Sequence, residues 1–294
     1  MKKPPSALWL VRKPRGATST SMLDEFRRAH AGNFTLKLSH GGALDPFAEG
    51  LLIILVGAAN RLFEALHEVP KRYVARVEWG VETDTCDAGG RELARGETSA
   101  LTPERLDAAL ASFRGWTDQV PPATSNKRVD GERAWARAHR GEAVTLPAQP
   151  VFLHEARWLE HRLTGERPHS RVELSVRGGF YVRSLARDLG RALGVGAHLS
   201  TLERTAIGPW STPREPESVS GARVLPWLPS IVLDDAQWGA LRQGTRPPLG
   251  APTPPSWPLP AGFPEARAGV RCFHLGRLVA LISGERVTLL PGGI

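Results

Sequence analysis

Cysteine is nearly absent from this 294-residue chain: Cys86 and Cys272 are the only two, far apart in sequence. Two cysteines build no disulfide framework and offer no zinc-ligand spacing, so a reducing compartment, the cytoplasm, is the expected setting. Long apolar runs are missing too. The longest, residues 51–59, falls well short of the roughly 20 residues a membrane-spanning helix needs. The residues Met1-Lys2-Lys3-Pro4-Pro5 carry charge with no apolar stretch and small-residue cleavage site behind them, so neither a secretory leader nor a membrane anchor is expected. No internal repeat is evident.

What is present is an excess of positive charge. Lys and Arg total 38 against 30 Asp and Glu, a formal net charge of +8. Arginine dominates the basic set, and its planar guanidinium suits bidentate contact with phosphate, which favours an acidic partner such as nucleic acid. Hydrophobic and charged fractions of 41% and 23% are those of a folded globular protein. The length accommodates one large domain and a small one.

Within this basic chain lies a short acidic turn, His40-Gly41-Gly42-Ala43-Leu44-Asp45-Pro46, followed closely by the apolar run Leu51-Leu52-Ile53-Ile54-Leu55-Val56. Glycine and proline fix an unusual backbone around one carboxylate, and the apolar run ties that backbone to a rigid element. Loop residues held on a rigid scaffold are where chemistry tends to sit. An Asp-Pro pair also starts ordinary turns, so the local pattern alone does not assign a role.

Periodicity organises the rest. Leu8-Trp9-Leu10-Val11 reads as a strand ending in a basic turn. Met22, Leu23, Phe26 and Ala29 recur at helical spacing behind cap candidates at residues 18–21, and residues 61–67 read as a short helix. Tyr73, Ala75, Val77 and Trp79 alternate as on a half-buried strand. Thr102-Pro103-Glu104 opens a helix. Residues 151–159 and 171–176 read as strands, and 180–193 as a helix closed by Gly194. Residues 123–150 form a basic, helix-bearing excursion carrying Lys127, Arg128, Arg133, Arg137 and Arg140. Beyond about residue 228 the short strands at 270–274 and 277–282, after a proline-rich stretch, predict a small, mostly β domain.

Five co-linear motifs resemble the bacterial tRNA pseudouridine-55 synthase (TruB) family over residues 8 to about 210. They are Lys13-Pro14-Arg15-Gly16; the His40–Pro46 turn with Ala48 and Gly50; Lys71-Arg72-Tyr73; Thr83-Asp84-Thr85-Cys86-Asp87 with Gly90; and Gly179-Phe180-Tyr181-Val182-Arg183, which leads into Gly196-Ala197-His198-Leu199 and Leu202-Glu203-Arg204. The resemblance implies an α/β (α+β) pseudouridine synthase fold with a central mixed, largely antiparallel sheet. It implies a catalytic domain over residues 1–228, with 123–150 as an RNA-clamping loop, and a β-rich PUA-like domain over 229–294.

The activity implied is isomerisation of uridine 55 in the tRNA T-loop, with no cofactor and no metal. Asp45 would be the essential carboxylate, adding to C1′ of the sugar or C6 of the base, or promoting a glycal route. Arg183 would hold it ionised, and Tyr73 would stack on the target base. The base must leave its stack to be reached. His40 would fill the space it vacates, and Lys13, Arg15, Tyr181, Lys127 and Arg128 would contact RNA. Asp84 and Asp87 are read as shaping their turn, or orienting Arg183 or backbone amides. The implied partner is the tRNA T-arm, met by a monomer with no obligate protein partner. Pseudouridylation of another RNA, and non-catalytic RNA binding or folding, are the alternatives.

Some positions depart from the family pattern. Ser39 and Gly41 stand where glycine and a β-branched residue or threonine are more usual, which predicts a looser turn. Phe180, Asn126 and Trp135 replace a small polar residue, a small residue and a tyrosine. None removes a catalytic group; they bear on RNA affinity and loop detail.

Overall fold

The computed structural model describes residues 6–30, 35–265 and 269–294. Residues 1–5, read above for a leader, lie outside them. The chain divides into two compact units, residues 1–70 with 204–294, and residues 71–203.

The first unit opens with strand β1 (Ala7–Lys13) and helix α1 (Ser19–His30), then strands β2 (Leu38–His40) and β3 (Glu49–Val56). A 3-10 turn (Gly57–Leu62) runs into the short helix α2 (Phe63–His67). Thr18 caps α1 by accepting from the Ser21 amide at 2.9 Å. The apolar run forms β3, which is buried on both faces. Its pleat sends Leu51, Ile53 and Leu55 into one core and Leu52, Ile54 and Val56 into another, against Phe26 of α1.

The second unit contains β4 (Lys71–Trp79), β5 (Val81–Thr83), β6 (Glu92–Arg95), α3 (Pro103–Ala111), β7 (Gly115–Gln119), β8 (Arg128–Val129), β9 (Glu132–Arg133), α4 (Ala134–His139), β10 (Gln149–Arg162), β11 (His169–Val176) and α5 (Val182–Leu193). Strand β12 (Ala197–Ile207) carries the chain back toward the first unit. The sheet order is β12-β4-β11-β10-β7. In β4 the predicted face of Tyr73, Ala75, Val77 and Trp79 is the buried one. Thr102 caps α3 with Pro103 in its first turn, and Gly194 ends α5 in the left-handed region at φ 74°. Both helix ends match their sequence signals.

After β12 the first unit adds β13 (Trp210–Ser211), β14 (Glu217–Val219), β15 (Ser230–Val232), α6 (Asp235–Arg242), β16 (Val270–His274), β17 (Arg277–Ser283) and β18 (Arg286–Leu289). Its strand order is β14-β1-β3-β12, with β2 also on β3 and β13 on β12. A separate sheet of order β15-β16-β17-β18 falls within residues 229–294. Its Phe273 and Leu278, with Leu290 just after β18, share a core with Leu8, Leu51 and Trp227, while Cys272, Ala280 and Ile282 bury a second face with Leu241 of α6.

Candidate active site

The acidic turn links β2 to β3 and is hydrogen-bonded to the residues around it. The Gly41 amide donates to Ile53 O at 2.8 Å, and the Ser19 hydroxyl bridges Leu44, accepting from its N–H and donating to its carbonyl. The Gly16 amide donates to Pro46 O at 2.7 Å. A side chain at Gly41 would press on Ile53 and Leu66, and Gly42 takes φ 127°, where glycine is favoured. Hydrogen bonds with Gly16, with Ser19 of α1 and with Ile53 of β3 close the turn. Asp45 follows at its end, half-buried.

Two buried cations support this turn from below. Lys13, at the end of β1, is fully buried, and its ammonium donates to Ala48 O at 2.6 Å, Ala17 O at 2.7 Å, Pro14 O at 3.0 Å and Pro46 O at 3.4 Å. This corrects its reading as an RNA contact: the ammonium spends its donors on backbone carbonyls and faces no solvent. Burial pulls its pKa from 10.5 down to about 8; Asp45 and Glu49 oppose the fall and Arg204 adds to it. Arg204 is the second cation. It is 1% exposed and donates to Leu51 O, Gly42 O and Ala43 O at 2.7, 2.9 and 3.3 Å. Sequence marks it only as part of the last family motif, because β12 mixes polar with apolar residues and carries no local sign that this arginine is buried. His40 ends β2 opposite Ile54, half-buried, and Arg15 is exposed in the basic turn.

The second unit holds Tyr73, Arg183 and Tyr181. Tyr73 is buried, 8% exposed, in β4, paired with Leu174 of β11. Arg183, in the first turn of α5, is only 3% exposed. Its guanidinium meets Thr85 O at 2.9 Å, Asp87 Oδ2 at 3.2 Å and the Thr124 hydroxyl at 2.7 Å. Asp87 in turn accepts from the Thr85 hydroxyl at 2.8 Å and the Gly89 amide at 3.0 Å, while Asp84 accepts from the Arg91 amide. Both aspartates thus hold backbone amides of their turn, and Asp87 also meets Arg183. Buried Gln119 brackets Tyr181, accepting from its amide and donating to its carbonyl. Gln119 and Thr124 were not singled out from sequence, since neither type carries charge. The chain has two tyrosines, and both stand beside these groups in sequence motifs.

The basic excursion springs from this same region, where Ser184 and Arg187 of α5 both donate to Val120 O. Lys127, Arg128 and Arg133 are exposed. Arg137 and Arg140 are not free charges: Arg137 pairs with Asp130 and Glu142, and Arg140 with Glu132 and Glu142.

The TruB family pseudouridylate synthase N-terminal domain model matches residues 28–182, and the tRNA pseudouridylate synthase B C-terminal domain model matches residues 183–225. The chain belongs to the TruB family of pseudouridylate synthases. It is similar to tRNA pseudouridine synthase B of Mycobacteroides abscessus, 36% identical over 297 residues, with 96% of this chain and 94% of that protein covered. The corresponding protein of Arthrobacter sp. strain FB24 is 40% identical over 210 residues, covering 70% of this chain and 67% of its own. Among solved structures, a Cbf5-Nop10-Gar1 complex matches with a TM-score of 0.63 at 22% identity, over 94% of this chain and 78% of that one. That likeness places the TruB-family chain in the pseudouridine synthase fold. Among the described residues no helix is long and apolar enough to cross a membrane.

Proposed function

We propose that this TruB-family chain isomerises uridine 55 in the T-loop of tRNA to pseudouridine, without a cofactor, as a cytoplasmic monomer. The observation that carries this reading is the family's carboxylate motif on a turn held by buried Lys13 and Arg204. The reaction breaks the bond from C1′ to N1 of the base, forms one from C1′ to C5, releases the C5 proton to solvent and takes up one proton at N1. Asp45 is the carboxylate that acts at the sugar or the base, Tyr73 stacks on the base, and Arg183 supplies the positive charge that keeps Asp45 ionised. The base must be flipped out of the folded loop, at a cost of a few kcal/mol offset by stacking and phosphate contacts. His40 occupies the vacated space. Arg15, Tyr181, Lys127 and Arg128 contact the T-arm, and residues 229–294 serve as a PUA-like module.

Tritium release from tRNA labelled at C5 of uridine tests the reading. Wild-type protein should release one tritium per uridine 55, and Asp45→Asn should bind tRNA but release none. Release from a different RNA alone would move the substrate; binding without any release would make the chain an RNA-binding protein.

A further inference from the structure

One buried guanidinium beside the turn touches none of the reacting groups named above, yet it is bonded to the backbone that presents Asp45. Arg204 lies in β12, and its Nε donates to Leu51 O at 2.7 Å, Nη2 to Gly42 O at 2.9 Å and Nη1 to Ala43 O at 3.3 Å. A guanidinium holds its N–H donors in a rigid plane. Three carbonyls bonded to that plane are fixed relative to one another. Leu51 belongs to β3, whose side chains fill two cores, whereas Gly42 and Ala43 belong to the turn and precede Asp45 by three and two residues. The plane thus transmits the position of β3 to the turn.

A second observation shows that the fold is built for this contact. Gly50, the glycine that ends the turn's own motif, takes φ 104°, and a Cβ there would fall 2.3 Å from the Arg204 carbonyl oxygen. The backbone of β3 can approach Arg204 this closely only because residue 50 has no side chain. The Arg204 carbonyl also accepts from the Thr212 hydroxyl at 3.2 Å, which pins the arginine's own backbone. The guanidinium is therefore aimed from a fixed origin.

We propose that Arg204 is the positioning residue of the catalytic turn: it sets the reach of the Asp45 carboxylate by fixing the carbonyls of Gly42 and Ala43 to β3, and it does not touch RNA. Lysine cannot replace it, because a single nitrogen on a flexible stem cannot hold three carbonyls in one plane. A displacement of about 1 Å at a reacting group costs on the order of 100-fold in rate. The proposal rests on the catalytic role of Asp45 given above, so its test has one arm that does not.

The experiment uses the full chain with Arg204→Lys, and with Arg204→Ala in the presence and absence of millimolar methylguanidinium. Hydrogen exchange followed by mass spectrometry should show faster exchange in residues 41–48 of both variants, with α5 unchanged. Single-turnover tritium release at saturating tRNA should fall about 100-fold in both, while the Kd for tRNA stays within about threefold of wild type. Methylguanidinium should restore part of the rate to Arg204→Ala. Wild-type exchange and rate in Arg204→Lys would overturn the proposal, as would a rate loss matched by an equal loss of tRNA affinity. If the wild-type protein releases no tritium, the proposed function fails, and the exchange arm alone still decides the role of Arg204.

Discussion

Replacing Gly50 with alanine asks the structure for something it has no room to give. The φ of 104° already disfavours any side chain, at about 1–2 kcal/mol for a left-handed backbone. The added Cβ would also sit 2.3 Å from the Arg204 carbonyl oxygen and 2.9 Å from its nitrogen. Those are backbone atoms inside a sheet, so no rotamer change relieves the contact, and forced overpacking costs about 1–3 kcal/mol more. Gly16 supplies the control. Its φ of 89° carries a similar conformational penalty, but nothing lies within 4 Å of a Cβ built there. At about 2–4 °C per kcal/mol, Gly50→Ala should melt about 2–12 °C below Gly16→Ala in thermal scans at one pH and scan rate. Equal melting temperatures for the two variants would refute the close approach of β3 to Arg204.

Three further outcomes follow from the described contacts. Lys127→Ala and Arg128→Ala should each lower the slope of log Kd for tRNA against log salt by about one phosphate contact, whereas Arg140→Ala, whose charge is already paired with Glu132 and Glu142, should leave it unchanged. The Lys13 pKa falls from 10.5 unfolded to about 8 folded, so between those values the unfolded chain holds the extra proton and stability rises with pH; urea titrations at pH 7.5 and 9.5 should show this gain in wild type and not in Lys13→Met. Asp87→Asn removes the carboxylate paired with buried Arg183 and should destabilise the protein by about 3–5 kcal/mol, read as a lower urea midpoint.

The parts of this fold that were legible in the sequence are those whose signals are local. Helices α3 and α5 announce themselves by Thr102, Pro103 and Gly194 at their ends, and β3 by an unbroken apolar run. Strand β12 was not legible. Its sequence mixes Ser200, Thr201, Glu203 and Arg204 with apolar residues, and its burial comes from partners distant in the chain. Lys13 was misread for the same reason. A lysine next to Pro14 and Arg15 looks like solvated charge, and only the carbonyls of Pro46 and Ala48, more than thirty residues on, turn it into a buried strut. Asp45, Tyr73 and Arg183 are candidates through motif order rather than through physics that a single residue displays.

The bond from Arg204 to Gly42 joins residues 162 apart in sequence. At about 5–20 residues per second, a ribosome needs on the order of ten seconds to make β12 after it has made the turn. Throughout that interval the nascent turn lacks the arginine that fixes it to β3. The turn thus gains this support only when the chain is about two-thirds synthesised, so a product arrested before residue 204 would carry the entire His40–Pro46 motif without the guanidinium that ties Gly42 to β3.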